Sequence, residues 1–134
     1  MILVDAGPLV ALVDSDDQHH DKCAAALKEL RGPLATVWPP FVEAMYLLSD
    51  QPRAQDALWE MLERSVVLLL PLDSGDFPRI RELMRQYANR PMDLADAALL
   101  RVAEREGVRE IFTVDRRDFS VYRINNRTRP TLIP

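Results

Sequence analysis

The sequence predicts an α/β fold, a three-layer sandwich with a mainly parallel central sheet flanked by helices. Short apolar runs rich in β-formers alternate with helical stretches along the 134 residues, which is typical of βαβ units. The apolar runs are unbroken, as at residues 66–70, and strands covered on both faces have this pattern. The length suits one domain, so we expect residues 1–134 to form a single domain.

Five strands are predicted from the apolar runs. The first occupies residues 2–4, and a weaker candidate follows at 34–37. Five apolar residues at 66–70 predict the third strand, and residues 111–114 predict the fourth. The last run, at 131–133, is expected to form an edge strand.

The predicted helices lie between these strands and place apolar residues at helical spacing. Two of them open with proline, at Pro39–Pro40 and at Pro52, since proline is favoured in a first helical turn. Gly32 and Gly107 end two others, because glycine readily adopts the left-handed conformation found at helix C-termini. The expected helices cover residues 20–30, a stretch from 39, a stretch from 52, residues 74–87 and about 92–106.

Composition and charge exclude several classes of protein. A hydrophobic share of 48% is too high for a disordered chain, and a net charge of −4 argues against a basic coat that binds nucleic acid non-specifically. No apolar run approaches the roughly 18 residues needed to span a bilayer, and the N-terminus resembles no targeting peptide. We therefore expect a cytoplasmic protein. Cys23 is the only cysteine, so no internal disulfide or cysteine-based zinc site is expected.

Acidic residues occur where a parallel sheet would bring them together. Asp5 follows the first predicted strand and Asp115 follows the fourth, and the carboxyl ends of parallel strands share one edge, where ligands bind. Asp93 and Asp96 lie three residues apart at the start of the helix that leads into the fourth strand, so they share a helical face at the same edge. Glu43 lies one turn into the helix after the second strand, although a plain surface position is its alternative.

Each of the other acids also has a purely structural interpretation. Asp5 and Asp93 could cap the helices that follow them. Asp96 would then be the third residue of its helix, where a carboxylate favours the helix dipole. Asp115 and Asp118 could form Asx turns. These roles are compatible with a shared site, because a capping carboxylate keeps a free oxygen.

A cluster of these acids implies a bound cation. Two carboxylates about 5 Å apart repel by roughly 3 kcal/mol at an effective dielectric of about 20, and four would repel several times as strongly. Oxygen ligands without histidine or cysteine favour Mg²⁺, which Mn²⁺ can replace. Such an ion can activate water and clamp a phosphate. The sequence therefore predicts a magnesium-dependent nuclease.

The motifs also resemble a known family. Val4-Asp5, Glu43, Met92-Asp93-Leu94-Ala95-Asp96-Ala97 and Thr113-Val114-Asp115-Arg116-Arg117-Asp118-Phe119 are similar to the signature of PIN domains. The order and spacing match over essentially the whole chain, and the similarity is greatest to the VapC-type toxins of VapBC toxin–antitoxin modules. The Thr-x-Asp-x-x-Asp-Phe segment with the upstream Asp-Ala on a helix is the most specific part.

The resemblance implies a fold, an activity and partners. It implies that residues 1–134 are one PIN-like nuclease domain, a toxin that cleaves RNA, inhibited by a VapB-type antitoxin and assembled as a homodimer. A membrane partner is not expected, because the chain has no apolar run long enough to span a bilayer. The carboxylates that the resemblance assigns to catalysis and metal binding are Asp5, Glu43, Asp96 and Asp115, with Asp93 and Asp118 as supplementary metal-site acids. One departure is Gly7, where the family frequently has serine or threonine, so a hydroxyl contact near the metal is missing from this sequence.

Two alternatives compete with the nuclease interpretation. A catalytically silent PIN-like module that only binds RNA or a protein is disfavoured, because none of the four core acids is missing. A receiver-type phosphoacceptor domain also gathers acids at the end of a parallel sheet, but it needs a lysine in the site and an acidic pair near the first strand. The only lysines are Lys22 and Lys28, on an early helix.

Several other residues carry open interpretations. Trp38 and Trp59 are expected in the core or in a dimer interface, with stacking on a nucleic-acid base as the less favoured alternative. Arg116 and Arg117 flank the predicted site, where they could contact phosphates or lie in a solvated turn. Surplus apolar residues on the early helices, Tyr46 among them, are expected to face an antitoxin helix or a second subunit.

Overall fold

A computed structural model describes all 134 residues. The strands are β1 (Ile2–Val4), β2 (Leu34–Thr36), β3 (Val67–Leu69), β4 (Glu110–Phe112) and β5 (Thr131–Ile133). The helices are α1 (Ala6–Val13), α2 (His20–Glu29), α3 (Trp38–Leu47), α4 (Pro52–Glu63), α5 (Phe77–Gln86), α6 (Leu94–Glu106) and α7 (Arg116–Phe119), with a 3₁₀ turn at Ser74–Asp76.

The five strands form one sheet in the order β3-β2-β1-β4-β5. Every neighbouring pair is parallel, so the sheet is entirely parallel where the sequence predicted a mainly parallel one. β5 is an edge strand, as expected, and β1 lies at the centre between β2 and β4. Helices cover both faces, which confirms the predicted three-layer sandwich.

β1 and β5 have the predicted bounds, whereas β2, β3 and β4 are shorter than predicted, and the early end of β4 changes the surroundings of the site. β4 ends at Phe112, so Thr113 and Val114 separate the strand from Asp115. The helix after Asp5, expected only as a short one that this residue could cap, is α1, with 8 residues. The stretch expected as one helix over 74–87 divides into the 3₁₀ turn and α5.

Two cores, one on each face of the sheet, hold the layers together. Alternate residues of a strand point to opposite faces. Ile2 and Val4 therefore pack with buried residues of α1 to α4, whereas Leu3 packs with those of α5 and α6. Because both faces of β1 are buried, its position in the molecule is fixed from both sides. None of the helices has the length and apolar composition needed to cross a membrane.

A buried aspartate ties the 3₁₀ turn to α6 on the face opposite α1. Asp76 accepts hydrogen bonds from Arg101 Nε at 2.8 Å, from Arg105 Nη1 at 2.9 Å and from the Asp73 amide at 3.1 Å. Burial alone would raise the pKa of this carboxyl. The bonds from Asp73 and Arg101 and the charges of Arg105 and Arg101 outweigh it and hold the pKa below its ordinary value. Two of the arginines in the last third of the chain thus have a structural role.

We expect Asp76→Asn to lower the free energy of unfolding by about 2 kcal/mol at pH 7, the range for hydrogen bonds to charged groups. A depressed folded pKa contributes stability above the unfolded pKa, near 3.8, and loses it as pH falls through the folded pKa. The difference between wild type and variant should therefore be constant from pH 7 to 5 and shrink below about pH 4. Urea denaturation across this range measures it. A difference that persists unchanged at low pH would mean that packing, not charge, is responsible.

Candidate carboxylate site

Asp5 lies at the carboxyl end of the central strand and begins α1. Its Oδ1 accepts the Ala6 amide at 2.8 Å, and its Oδ2 accepts the Thr113 hydroxyl at 2.9 Å. The residue is buried. The predicted capping role is therefore confirmed, and a second bond joins this carboxylate to the segment after β4.

Thr113 connects two of the acids. Its buried hydroxyl donates to Asp5 and accepts the Asp115 amide at 3.0 Å. The side chain of one acid and the backbone of another are thereby fixed to the same oxygen. Thr113 belongs to the sequence motif, but no role for it was predicted. The available signal was its position two residues before Asp115, at the end of a buried strand.

Asp93 and Asp96 lie at the N-terminus of α6, as predicted. Asp93 caps the helix, and its Oδ1 accepts the Asp96 amide at 2.8 Å. Asp96, the third residue of the helix, is only 8% exposed, and its Oδ2 accepts the Tyr122 hydroxyl at 2.8 Å. This leaves Asp96 Oδ1 and Asp93 Oδ2 without a protein hydrogen bond.

Tyr122 orients Asp96 and was missed from the sequence. It is fully buried, and its ring packs edge-on between Tyr87, with centroids 5.0 Å apart, and Phe119, with centroids 5.2 Å apart. A side chain clamped in this way has little freedom, so the hydroxyl holds the Asp96 carboxylate in one orientation. Its position 26 residues from Asp96 left no local signal in the sequence.

Asp115 and Asp118 lie at the start of α7 and within it. Asp115 caps this short helix, and its Oδ1 accepts the Asp118 amide at 3.2 Å. Asp115 therefore has a structural role as a helix cap and keeps a second oxygen free, whereas no Asx-turn bond is made by the Asp118 side chain. Asp118 lies at the outer side of the cluster, with its Oδ1 3.8 Å from Arg90 Nε.

Glu43 lies in α3 and is partly buried. Its carboxylate makes no hydrogen bond or ion pair. Burial, followed by the charge of Asp93, raises its pKa, so the electrostatic field of the α6 terminus reaches it. The helix around it is less buried than predicted, because Val42, Tyr46 and Leu47 are exposed.

The pKa values show that these acids act on one another. Burial raises the pKa of Asp5 to about 6 against the hydrogen bonds it accepts, with help from the charges of Glu43 and Asp93. Burial raises the pKa of Asp96 to about 8, assisted mainly by the charges of Asp5 and Asp93 and also by that of Asp115. Burial likewise raises the pKa of Asp115. The six acids therefore form one electrostatic cluster.

The donor chemistry fits a hard divalent cation. The only basic group paired with any of the six acids is Arg90, on Asp118, so the buried carboxylates are not neutralised by the protein. All their donors are oxygens, which suits Mg²⁺ or Mn²⁺. As the side chains stand, no three of them form a group that could hold one ion, although Asp93, Asp96 and Asp115 each keep one carboxylate oxygen without a protein hydrogen bond.

The packing of Val114 explains why glycine occupies position 7, where the family frequently has serine or threonine. A Cβ at this position would collide with the side chain of Val114, which is stiff because it is β-branched. The space that a serine or threonine would use is therefore taken by Val114. The hydroxyl that does contact the Asp5 carboxylate is that of Thr113.

Other predicted residues have different surroundings from those expected. Trp38 and Trp59 are 47% and 45% exposed, so the core assignment was wrong, and a dimer interface stays a prediction. Their rings contact each other and Phe41 edge-on. Arg116 donates to the carbonyl of Pro134. Arg117 is exposed, so of the two only Arg117 is unengaged by the protein.

Fold and site together define an α/β protein with an acidic site at the carboxyl edge of a parallel sheet. The chain belongs to the PIN domain family, whose sequence pattern it matches over residues 2–125. No curated protein sequence matches the chain. Solved structures similar to the chain include the following two. One is Mycobacterium tuberculosis VapC20, described as a sarcin–ricin loop cleaving toxin, with a TM-score of 0.80 at 18% identity over 87% of this chain and 92% of that one. The other is a chain of a toxin–antitoxin complex from Klebsiella pneumoniae, with a TM-score of 0.71 at 20% identity over 99% and 100%.

Proposed function

We propose that the protein is a metal-dependent endoribonuclease and the toxin of a type II toxin–antitoxin pair. The observation that carries this proposal is a cluster of carboxylates with raised pKa values and no basic partner at one edge of a PIN fold, of which Asp5 and Asp96 are buried and Asp115 is exposed. Keeping such groups together destabilises the free protein, and perturbed buried acids of this kind mark functional sites. Membership of the PIN family and the likeness to VapC structures support the choice of RNA.

Asp5, Asp96 and Asp115 would hold Mg²⁺ or Mn²⁺, and Glu43 would either ligate it or orient the attacking water. When bound, the ion would polarise a phosphate oxygen and lower the pKa of a water molecule. The residues of the chain supply positioning. Thr113 fixes Asp5 relative to Asp115, and Tyr122 fixes Asp96, while Asp93 and Asp118 would add negative charge around the ion. In-line attack by water would leave a 5′-phosphate and a 3′-hydroxyl on the RNA.

The proposed partners are an antitoxin of the VapB type and a second copy of the chain. The chain has two apolar surfaces that could receive them. One is a groove of about 480 Å³ between α1, α2 and α4, with Leu12, Leu27 and Met61 among its walls. The other is a hollow of about 600 Å³ beside the acids, with Trp38 and Tyr46 among its walls. An RNA substrate and an antitoxin partner would both be met in the cytoplasm.

The test is cleavage of RNA by the purified protein with Mg²⁺, with Mn²⁺ and with EDTA. We expect cleavage with either metal and none with EDTA, together with 5′-phosphate ends on the products, because hydrolysis by an activated water leaves these ends. The ends are read by ligation-dependent sequencing, which requires a 5′-phosphate. RNA that is bound but never cut, whichever metal is present, would favour the silent binding module instead.

A further inference from the structure

Arg90 lies in the turn between α5 and α6, at the outer side of the carboxylate cluster. Its Nε is the one buried side-chain nitrogen or oxygen in the chain without a hydrogen-bond partner. Buried polar groups are nearly always paired, so an unpaired donor calls for an explanation. The nearest acid is Asp118, whose Oδ1 is 3.8 Å away, which is too far for a hydrogen bond. The side chain is one-third exposed, so the guanidinium can also contact solvent.

A merely structural ion pair does not account for this geometry. Two other half-buried arginines pair at hydrogen-bond distance, Arg79 with Glu104 at 2.9 Å and Arg101 with Asp76 at 2.8 Å. Arg90 approaches its carboxylate but leaves its buried donor unused. It is also the only basic residue paired with any acid of the site. The acids of the site repel anions. A cation at their margin, such as Arg90, can therefore attract an anionic ligand to the site.

We propose that Arg90 is a substrate-binding residue whose guanidinium binds a phosphate of the RNA backbone next to the one that is cut; this rests on the proposed function. The planar guanidinium presents its donors in a fork that matches phosphate oxygens. A phosphate there would be bound by the solvent-exposed part of the guanidinium, which makes no hydrogen bond within the protein, while the Nε stays buried. It would also draw the RNA backbone against the acids, which would otherwise repel it.

The test compares Arg90→Gln with Arg109→Gln in cleavage of a mixed-sequence single-stranded RNA with Mn²⁺ at several KCl concentrations. Arg109 is exposed and immediately precedes β4, at the opposite edge of the sheet, so it controls for the lost charge. We expect Arg90→Gln to lower kcat/KM about tenfold or more, mainly by raising KM. Loss of one phosphate contact should also reduce the slope of log(kcat/KM) against log[KCl] by about 0.7. Arg109→Gln should match the wild type.

A second variant separates phosphate binding from an effect transmitted through Asp118. If Arg90 only positioned that acid, Asp118→Asn would raise KM and lower the salt slope as Arg90→Gln does. Under our proposal Asp118→Asn keeps the wild-type slope of log(kcat/KM) against log[KCl]. Arg90 is still present in this variant, and the Asp118 carboxylate no longer competes with phosphate for it. Equal KM and slope for Arg90→Gln and Arg109→Gln on an RNA that the wild type cuts would overturn the assignment of Arg90 alone. A wild type that cuts no RNA would overturn the proposed function and this assignment with it.

Discussion

Replacing Asp96 by asparagine is expected to abolish RNA cleavage, with a loss in kcat/KM of at least about a thousandfold, equivalent to about 4 kcal/mol of transition-state stabilisation. Asp96 is the most perturbed carboxylate of the cluster, with a pKa raised to about 8, and its free oxygen is one of those that would bind the ion. Asparagine has nearly the same shape and can still accept the hydrogen bond from Tyr122. The fold should therefore survive while the charge is lost.

The matched control for this variant is Glu110→Gln. Glu110 is an exposed acid at the first position of β4, at the edge of the sheet opposite the site, so its replacement removes the same charge without touching the cluster. Cleavage is followed on purified proteins, and growth is followed after induction of each gene. Wild type and Glu110→Gln should cut RNA and arrest growth, whereas Asp96→Asn should do neither. Full activity in the Asp96 variant would show that the chemistry occurs elsewhere.

The second large effect is that of the clustered acids on the free energy of unfolding. We expect these acids to destabilise the metal-free protein and to stabilise it when metal is bound. Asp5 and Asp96 have folded pKa values of about 6 and about 8, raised from 3.8. Raised carboxyl pKa values mean that the folded state binds more protons than the unfolded state between these limits. The contribution of these two acids to stability without metal is therefore greatest near pH 4 and falls as pH rises toward 8. A tenfold change in an acid dissociation constant corresponds to about 1.4 kcal/mol, so the total loss should reach a few kcal/mol.

Asp96→Asn removes the largest part of this repulsion. In EDTA at pH 8 the variant should melt at a higher temperature than the wild type, and at pH 4 the difference should vanish. Mn²⁺ at about 100 times its dissociation constant should stabilise the wild type by about 2.7 kcal/mol, which is about 10 °C for a chain of this length. The variant should gain much less.

Thermal melts of wild type, Asp96→Asn and Glu110→Gln, in EDTA and in Mn²⁺, make this measurement. The Glu110 variant should follow the wild type in both solutions. A wild type that is indifferent to metal, together with an Asp96 variant that is less stable in EDTA at pH 8, would identify these acids as helix caps without a binding role.

The sequence was sufficient to predict that the acids lie at one edge of the sheet, because most of these acids directly follow a predicted strand or lie near the start of a helix that can be recognised from its own residues. Asp5 directly follows a buried strand, and Asp93 precedes a helix whose apolar periodicity is clear, so strand direction and helix direction bring both to one edge. Their capping roles were also readable, since a cap is defined by the next three residues. Asp115 was placed correctly although β4 ends earlier than predicted.

The contacts that orient the acids could not be predicted in the same way. The bond from Tyr122 to Asp96 and the proximity of Arg90 to Asp118 join residues whose separation in sequence carries no periodic signal. They depend on how α7 and the turn before α6 pack against each other. Trp38 was misjudged for a related reason: a large aromatic residue is buried or exposed according to what the neighbouring helices leave open, which hydrophobicity alone does not reveal.

The central position of β1 has a consequence for when the site comes into existence. β1 is made first, yet both of its neighbours in the sheet come later in the chain, and 108 residues separate Asp5 from the threonine that holds it. At roughly 5–20 residues per second, a ribosome needs about 5 to 20 seconds to make that stretch. The acids are dispersed throughout this interval, and a nascent or truncated chain that lacks β4 has no assembled site. Under the proposed function, a cell would therefore be exposed to the nuclease only after the chain has closed its sheet, and the proposed antitoxin would have that interval in which to fold first.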